Sequence, residues 1–114
     1  MIPCIFCDIL GGKIPSTPVY QDDHVYAFAD IKPVAPVHIL IVPRLHVASV
    51  MDVPETHWDL FGKIHAAAQK IIRKQGLDKA GFRLVVNNGA DAGQAVNHLH
   101  YHLLAGRRLG WPPG

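Results

Sequence analysis

The chain has 114 residues, of which 49% are hydrophobic and 18% are charged, and its formal net charge at pH 7 is +2. This length and composition predict a single domain that spans residues 1–114. Lysine and arginine are scattered without a run, so we expect no nucleic-acid partner. No segment approaches the ~20 consecutive apolar residues that a bilayer span needs, and the N-terminus has no basic region followed by an apolar stretch. We therefore expect a cytoplasmic protein with no membrane partner.

The first predicted element is a short helix that two glycines end, in Cys4-Ile5-Phe6-Cys7-Asp8-Ile9-Leu10-Gly11-Gly12. It carries both cysteines of the chain, Cys4 and Cys7. Their spacing suits half of a metal site or a redox disulfide. Two ordinary thiols explain the pair equally well, and a tetrahedral zinc would need two more ligands from elsewhere in the chain.

Two strand-like segments follow the helix, and the polar stretch Asp22-Asp23-His24 between them predicts a hairpin. The second of these strands is expected to end at Asp30. Val37 to Val42 is an apolar run interrupted only by His38, which predicts a buried central strand. From the residues alone, His38 could be a core histidine with a backbone partner, and Asp30 could be a solvated strand end.

One long helix is predicted to start at Asp52-Val53-Pro54-Glu55, which combines a capping aspartate, an early proline and an acidic residue three positions after the cap. Gly76 is expected to end it. Apolar side chains at three- and four-residue spacing should pack on the sheet. This stripe consists of Trp58, Phe61, Ile64, His65, Ala68, Ile71 and Ile72. We interpret His57 and His65 as structural or solvated.

The segment Phe82-Arg83-Leu84-Val85-Val86-Asn87 predicts a further strand, which leads into a loop from Asn88 to Gln94. Small residues and two glycines in this loop allow backbone N–H groups to approach a ligand closely. The loop lacks the length and spacing of a Walker loop and is a weak sign of phosphate binding on its own. Its position directly before the next segment makes it informative.

Three histidines alternate with apolar residues in Asn97-His98-Leu99-His100-Tyr101-His102-Leu103-Leu104. This period of two predicts a strand with the imidazoles on one face and the apolar side chains on the other. Histidine is not a favoured strand residue, which argues against a purely structural explanation. A shared metal ion is a second explanation, although His98 and His102 would be about 13 Å apart at the backbone, so only a neighbouring pair could reach it. The third is an imidazole nucleophile, which suits attack on phosphorus.

The histidine segment resembles the motif of the histidine-triad (HIT) nucleotide-binding proteins. Other segments resemble landmarks of that family in the same order, namely Phe28-Ala29-Asp30-Ile31-Lys32-Pro33, His38-Ile39-Leu40-Ile41-Val42-Pro43, Val85-Val86-Asn87-Asn88-Gly89, Gly93-Gln94 and Gly110-Trp111-Pro112-Pro113-Gly114. The resemblance covers essentially the whole chain, and the final segment favours the Hint-like branch over the dinucleoside polyphosphate hydrolases. Together with the predicted elements it implies an α+β fold: an antiparallel sheet of about five strands, one long helix and a short N-terminal helix.

The resemblance implies a purine nucleoside phosphoramidase, which hydrolyses the P–N bond of AMP-amine conjugates such as adenosine phosphoramidate or AMP-lysine. His100 would be the nucleophile and would form a nucleotidyl-histidine intermediate. His102 and His38 would orient the phosphate and assist proton transfer, and the carbonyl of His98 would orient the ring of His100. No cofactor is implied for catalysis.

The resemblance also implies a binding pocket for a purine nucleoside monophosphate or its phosphoramidate. Asp30 would bind the ribose hydroxyls, and Asn87 and Gln94 would contact the phosphate and leaving group, assisted by the backbone near Ala95. Two chains would form a homodimer in which Trp111 reaches the other subunit's site. The base would lie against the apolar side chains of Phe6, Ile9, Phe28 and Ile31.

Some members of the family with this cysteine pair bind zinc with two additional histidines. In this sequence the matching set for a structural zinc is Cys4, Cys7, His46 and His98. For His46, a solvated loop position remains the alternative.

The sequence departs from the family pattern at Ala95, where Hint-like members commonly have a serine that contacts the phosphate or the departing nitrogen. Loss of one hydrogen bond to a charged group costs on the order of 1.5–3 kcal/mol if nothing replaces it. Three alternative functions stay open. One is a nucleotide- or partner-binding module with vestigial activity, which Ala95 favours. The others are a dinucleoside polyphosphate hydrolase and a zinc-dependent hydrolase that uses His98 and His100.

Overall fold

The fold is a sheet of five antiparallel strands with helices on its two sides, and the computed structural model describes residues 4–114 of it. The strands are β1 (Tyr20–Gln21), β2 (Val25–Ala29), β3 (Val37–Pro43), β4 (Phe82–Val86) and β5 (Tyr101–Ala105), and the helices are α1 (Ile5–Leu10) and α2 (Asp59–Lys74). Three short 3₁₀ turns lie at Val50–Asp52, Glu55–His57 and Ala90–Ala92. The predicted α+β architecture is confirmed.

The strand order in the sheet is β1-β2-β3-β5-β4, so β3 lies at the centre between β2 and β5. Its apolar run is explained by burial on both faces. Ile39 and Ile41 point into an apolar cluster beneath α2, whereas Leu40 and Val42 point into a second cluster beneath α1. The sheet therefore separates two apolar cores, and the functional side chains described below lie on the α1 side.

The predicted hairpin between β1 and β2 is present and is held by one aspartate. The Asp22 carboxylate accepts hydrogen bonds from the backbone N–H groups of His24 (2.7 Å) and Val25 (2.9 Å). This is the local bonding for which aspartate is favoured in turns. β2 then ends at Ala29, one residue before Asp30.

The long helix begins later than predicted. Asp52 does not cap it; its carboxylate accepts a hydrogen bond from the Ser49 hydroxyl at 2.6 Å. Val53 is extended (ψ 116°), because a residue before proline is disfavoured in the α region, so the chain makes separate 3₁₀ turns before α2 starts at Asp59. As a result Trp58, predicted in the apolar stripe, is 57% exposed.

The buried face of α2 consists of Leu60, Ile64, Ala67, Ala68, Ile71 and Ile72. His57 and His65 are exposed, in keeping with their predicted solvated role. The predicted stop is present: Gly76 has a positive φ of 68°, and the Leu77 N–H donates to the Ile72 carbonyl at 3.0 Å.

The histidine segment is a strand over only part of its predicted length, since β5 begins at Tyr101. Before that point the backbone pairs elsewhere: the Leu99 N–H donates to the carbonyl of Val47 at 2.8 Å. The alternation of faces nevertheless holds. Leu99, Tyr101 and Leu103 lie in the core beneath α2, while His98 and His100 pack edge-on against Phe6 on the other side.

Gly106, directly after β5, lies close to Pro36, and this close approach can be tested by substitution. Its φ is +94°, and a Cβ placed there would lie 2.8 Å from Cβ of Pro36. We expect Gly106→Ala to lower the free energy of unfolding by roughly 2–4 kcal/mol, from backbone strain plus overpacking. Urea denaturation measures this change. Gly110→Ala is the control, because a Cβ placed at Gly110 would have no atom within 4 Å and we expect almost no effect; equal midpoints for the two variants would contradict the prediction.

Across residues 4–114, none of the helices combines the length and the apolar character required to cross a membrane.

Candidate active site

His100 lies at the centre of the site, with its ring buried against Phe6 at a centroid distance of 5.0 Å. Its Nδ1 atom lies 2.8 Å from the carbonyl oxygen of His98. A carbonyl can only accept a hydrogen bond, so the His100 proton is on Nδ1 and the lone pair is on Nε2. The backbone thus fixes His100 in the tautomer that has a nucleophilic Nε2.

Hydrogen bonds also fix the tautomers of His38 and His102. The backbone N–H of Val34 donates to Nδ1 of His38 at 3.1 Å, which leaves the His38 proton on Nε2. That Nε2 lies 2.9 Å from Nδ1 of His102 and donates to it. The proton of His102 is therefore on Nε2, and the rings of His102 and His100 are 5.1 Å apart. His102 provides an N–H donor next to the lone pair of His100.

The pKa of His102 is lowered, first by burial and then by the charges of His100 and His38, while Asp30 opposes these effects. His102 is therefore a neutral donor near neutral pH. Asp30 contacts this pair directly, since its Oδ2 lies 3.4 Å from Nε2 of His38. Its Oδ1 accepts from the Lys32 N–H at 2.8 Å. The carboxylate side chain is 20% exposed, so part of it remains accessible to a ligand.

An apolar cavity of about 400 Å³ lies between α1 and β2. All four residues predicted to contact the base line it, together with Asp30; the four are Phe6, Ile9, Phe28 and Ile31. Phe6 and Phe28 meet edge to face at 5.9 Å, whereas Ile31 is 90% exposed at the rim. Three further apolar side chains that were not predicted from the sequence also line the cavity, namely Ile5, Ile14 and Leu40. The helical spacing of Ile5 and Ile9 was a signal for the first of them.

Gln94 holds the loop before the histidine segment through four hydrogen bonds. Its side-chain oxygen accepts from the N–H of Gly89 (2.9 Å), and its side-chain nitrogen donates to the carbonyls of Ala48 (2.6 Å) and Val96 (3.0 Å). Its backbone N–H donates to the Gly89 carbonyl at 3.1 Å. These bonds engage the backbone N–H and the side-chain amide of Gln94, and its contact with the phosphate and leaving group stays a prediction. Asn87 is half-buried directly after β4.

A group of four possible metal ligands lies where α1 meets the histidine segment. The ligand atoms of Cys4, Cys7, His46 and His98 all lie within 4.8 Å of one another. Cys4 Sγ is 3.4 Å from Nδ1 of His98, Cys7 Sγ is 3.1 Å from Nδ1 of His46, and the two Nδ1 atoms are 3.0 Å apart. Zinc bonds of about 2.3 Å to sulfur and 2.0–2.1 Å to nitrogen place tetrahedral ligand atoms roughly 3.3–3.8 Å apart. The observed distances of 3.0–3.6 Å lie within about 0.3 Å of this range, so the four residues fit a tetrahedral zinc after a small adjustment.

The hydrogen bonding of His98 also suits a metal ligand. Its Nε2 donates to the Pro43 carbonyl at 2.9 Å, so its lone pair is on Nδ1 and faces the cysteines. Burial lowers the pKa of His98, which keeps the imidazole neutral. Burial, the Cys4 thiol and the charge of Asp8 raise the pKa of Cys7 to about 11. Metal binding to Cys7 would therefore release a proton.

The structure does not bring His98 and His100 together as a metal-binding pair. The free nitrogen of His98 faces the cysteines, and Nδ1 of His100 is bonded to the carbonyl of His98. Among residues 4–114 a second group with close ligand atoms comprises Asp30, His38 and His102. The hydrogen bond between His38 and His102 and the 3.4 Å contact between Asp30 and His38 explain that proximity. A zinc-dependent hydrolase based on His98 and His100 has no support in this geometry.

Ala95 and Trp111, which the sequence analysis singled out, are both exposed to solvent. Ala95, at the position where a serine is common, lines a cavity next to α1. Trp111, predicted to reach a partner's site, is 81% exposed.

Comparison with known proteins agrees with this geometry. The HIT domain family matches residues 11–109. The chain is 46% identical over 106 residues to the purine nucleoside phosphoramidase of Escherichia coli K12, covering 93% of this chain and 89% of that protein. It is 44% identical over 112 residues to the 14 kDa zinc-binding protein of Brassica juncea, covering 96% and 98%. Among solved structures, a histidine triad protein from Clostridium difficile is 52% identical with a TM-score of 0.91, covering 94% and 93%. The chain therefore belongs to the HIT domain family, where it fits the Hint-like branch.

Proposed function

We propose that this HIT hydrolase is a purine nucleoside phosphoramidase, which cleaves the P–N bond of AMP-amine conjugates through a nucleotidyl-His100 intermediate. The observation that carries the proposal is the hydrogen bond from Nδ1 of His100 to the His98 carbonyl, which leaves a lone pair on Nε2. The identity to a relative named purine nucleoside phosphoramidase supports the choice of substrate class.

The first step is attack by Nε2 of His100 on the α-phosphorus, in which an N–P bond forms as the bond to the amine breaks. The phosphoramidate reacts with its bridging nitrogen already protonated by solvent, so the amine leaves as a neutral molecule with the bonding electron pair, and the Nε2–H of His102 donates a hydrogen bond to that nitrogen as the pair forms. In the second step water attacks the phosphorus, His100 leaves as neutral imidazole once its Nε2–P bond breaks, and the proton that the water loses passes to the released amine. The products are the amine and the nucleoside monophosphate.

His38 supports the hydrogen bond of His102 to the leaving group from a position behind His102. Because the Val34 N–H bonds to Nδ1 of His38, the His38 proton remains on Nε2 and holds His102 in the donor tautomer. The proposed nucleotide orientation follows from the surroundings: the base lies in the apolar cavity against Phe6, and the ribose lies toward Asp30.

The decisive experiment is a single-turnover reaction with adenosine phosphoramidate, quenched without acid and analysed by peptide mass spectrometry. An adenylyl group on the peptide that contains His100, absent from His100→Ala, would support the mechanism. The alternative of a binding module with vestigial activity is favoured by one observation, the methyl side chain at Ala95. AMP binding without adduct and without released AMP would identify that alternative and contradict the proposal. Hydrolysis of diadenosine polyphosphate in the same assay tests the alternative of a dinucleoside polyphosphate hydrolase.

Asp30→Asn tests the proposed ribose contact. The substitution keeps the shape of the side chain but removes a charged acceptor for vicinal hydroxyls, so we expect the KM for adenosine phosphoramidate to rise about tenfold. The kcat should change less, because Asp30 reaches His102 only through His38. Steady-state kinetics measures both. Asp23→Asn, an exposed turn residue, is the control, and an unchanged KM in Asp30→Asn would rule out the ribose contact.

A structural zinc on Cys4, Cys7, His46 and His98 is part of the proposal. The four ligand atoms fit it, and a relative is named a zinc-binding protein. When bound, zinc would supply a cross-link between α1 and the histidine segment rather than reaction chemistry, since His100 is not among its ligands.

A homodimer is also proposed. β4 is an edge strand with one neighbour, β5, in the described part of the chain, and its first residue, Phe82, is 44% exposed. An unpaired edge of this kind can accept a second strand. Light scattering at several concentrations would measure the oligomeric state, and a monomer at every concentration would contradict the proposal.

A further inference from the structure

A chain of hydrogen bonds links Arg107, an exposed residue, to the histidine pair of the candidate active site. The guanidinium of Arg107 donates to the carbonyl oxygen of Val34 at 2.9 Å. The N–H of the same Val34 donates to Nδ1 of His38 at 3.1 Å, and Nε2 of His38 donates to Nδ1 of His102 at 2.9 Å. Three consecutive hydrogen bonds therefore connect Arg107 to His102.

The end of β5 brings Arg107 to this position. β5 carries His102, and Gly106 follows its last residue with a φ of +94° and lies directly against Pro36. The chain therefore turns at Gly106 toward the loop between β2 and β3. The other terminal nitrogen of Arg107 donates to the carbonyl of Arg108 at 2.9 Å, so the guanidinium is held on two sides.

Few other interactions within residues 4–114 hold the backbone of Val34. Its side chain is 60% exposed, and the residue before it, Pro33, has no N–H group. In the described part of the chain the backbone of Val34 makes two hydrogen bonds, one to His38 and one from Arg107. The methyl group of Ala35 is buried and anchors the next residue of the loop. The bond from Arg107 holds the carbonyl of Val34, which keeps its N–H aimed at His38.

The Val34 N–H determines which neighbour receives the hydrogen bond of His38. Nε2 of His38 lies 2.9 Å from Nδ1 of His102 and 3.4 Å from the Asp30 carboxylate. A proton on Nδ1 would make His38 a cation, and a cation forms a stronger hydrogen bond with a carboxylate than with a neutral acceptor. The Val34 N–H opposes this protonation, because it needs the lone pair of Nδ1 as its acceptor. His38 therefore stays directed at His102, and His102 keeps its own proton on Nε2.

We propose that Arg107 is a positioning residue for the reaction, which acts through Val34 and His38 on the proton of His102. The inference rests on the phosphoramidase function proposed above, in which the Nε2–H of His102 donates to the leaving nitrogen. Arg107 does not line the proposed nucleotide cavity. It should therefore affect kcat and leave nucleotide binding unchanged.

Arg107→Ala tests the kinetic effect with adenosine phosphoramidate. We expect kcat to fall about tenfold, because His102 is in the donor tautomer for a smaller fraction of the time, while KM stays within about a factor of two. In Arg107→Lys most of the loss should be recovered, since the ammonium can still donate to the Val34 carbonyl.

Arg108→Ala is the matched control. It removes the same charge from the next residue, which is also exposed and whose guanidinium has no hydrogen bond or ion pair within residues 4–114. This variant should retain the full kcat.

The positions of the protons are measured directly by ¹⁵N NMR of the histidine ring nitrogens, without substrate and near neutral pH. In the unmodified protein, Nδ1 of His38 and Nδ1 of His102 should both give the signals of unprotonated nitrogen. In Arg107→Ala both signals should move toward those of protonated nitrogen, and in Arg108→Ala neither should move. A general loss of stability would lower Tm but would not change these signals in the folded protein.

The two measurements separate this inference from the proposed function. Unchanged ring signals or an unchanged kcat in Arg107→Ala would overturn the inference, as would an equal loss of kcat in Arg108→Ala or no recovery in Arg107→Lys. Failure of the unmodified protein to hydrolyse adenosine phosphoramidate would overturn the phosphoramidase function. In that case a shift of the ring signals in Arg107→Ala would still support the link from Arg107 to His102.

Discussion

Replacement of His100 by alanine is expected to lower kcat for adenosine phosphoramidate by at least about a thousandfold. The reason is that none of the three imidazoles grouped around His100 can supply the attacking lone pair. The free nitrogen of His98 faces the cysteines, Nδ1 of His102 accepts from His38, and Nδ1 of His38 accepts from Val34. Single-turnover kinetics with excess enzyme measures the loss without interference from product release.

Two controls accompany this variant. AMP binding by calorimetry should be retained in His100→Ala, because the base cavity and Asp30 are untouched. His57→Ala removes an exposed histidine far along the chain from the site and should leave the rate within a factor of about two. Activity in His100→Ala above a tenth of the original would contradict a nucleophilic role for His100.

Loading the metal-free protein with zinc is expected to raise Tm by roughly 10–20 °C. Zinc at a thousand times its Kd adds ~4 kcal/mol of stability, and each kcal/mol shifts Tm by several degrees in a domain of this size. The stabilisation arises because the metal would join the N-terminal helix to His98, which lies close to β5. Differential scanning calorimetry before and after chelation, with a zinc titration, measures the shift.

Cys7→Ser tests the origin of that shift. Substitution of serine removes one thiolate ligand at little steric cost, so the zinc-dependent change in Tm should mostly disappear. Magnesium is the control ion, since it prefers oxygen ligands and should have no effect. An equal zinc response in Cys7→Ser and the unmodified protein would show that the metal binds elsewhere.

Local sequence signals predicted most of the fold because each has one physical cause. Asp22 marks a turn through its own hydrogen bonds, Gly76 marks a helix end through its positive φ, and the apolar run that starts at Val37 marks a strand buried on both faces. The start of α2 could not be predicted from local sequence signals. The aspartate and proline at 52–54 fit a helix cap, but the extended residue before Pro54 interrupts the helix.

The candidate site was predictable in its residues but not in its hydrogen bonding. The alternation of histidines placed His100 at the centre, and the cysteine spacing indicated half of a metal site. Which nitrogen carries each proton depends on partners distant in sequence, such as Val34 for His38 and Pro43 for His98. The hydrogen bonds of Gln94 were unpredictable for the same reason, since its bond to the Ala48 carbonyl joins loops that only the tertiary fold brings together.

The short helix α1 couples the proposed metal site to the proposed nucleotide pocket. Its six residues carry Cys7 on the side of the proposed zinc, and Phe6 and Ile9 on the side of the base. A helix this short is unstable by itself, so its ordering depends on what it contacts. The first ligand to bind loses part of its binding free energy to the ordering of α1. The second ligand then binds to a helix that is already ordered, so it does not meet this cost again. Metal and nucleotide should therefore strengthen each other's binding by one common factor.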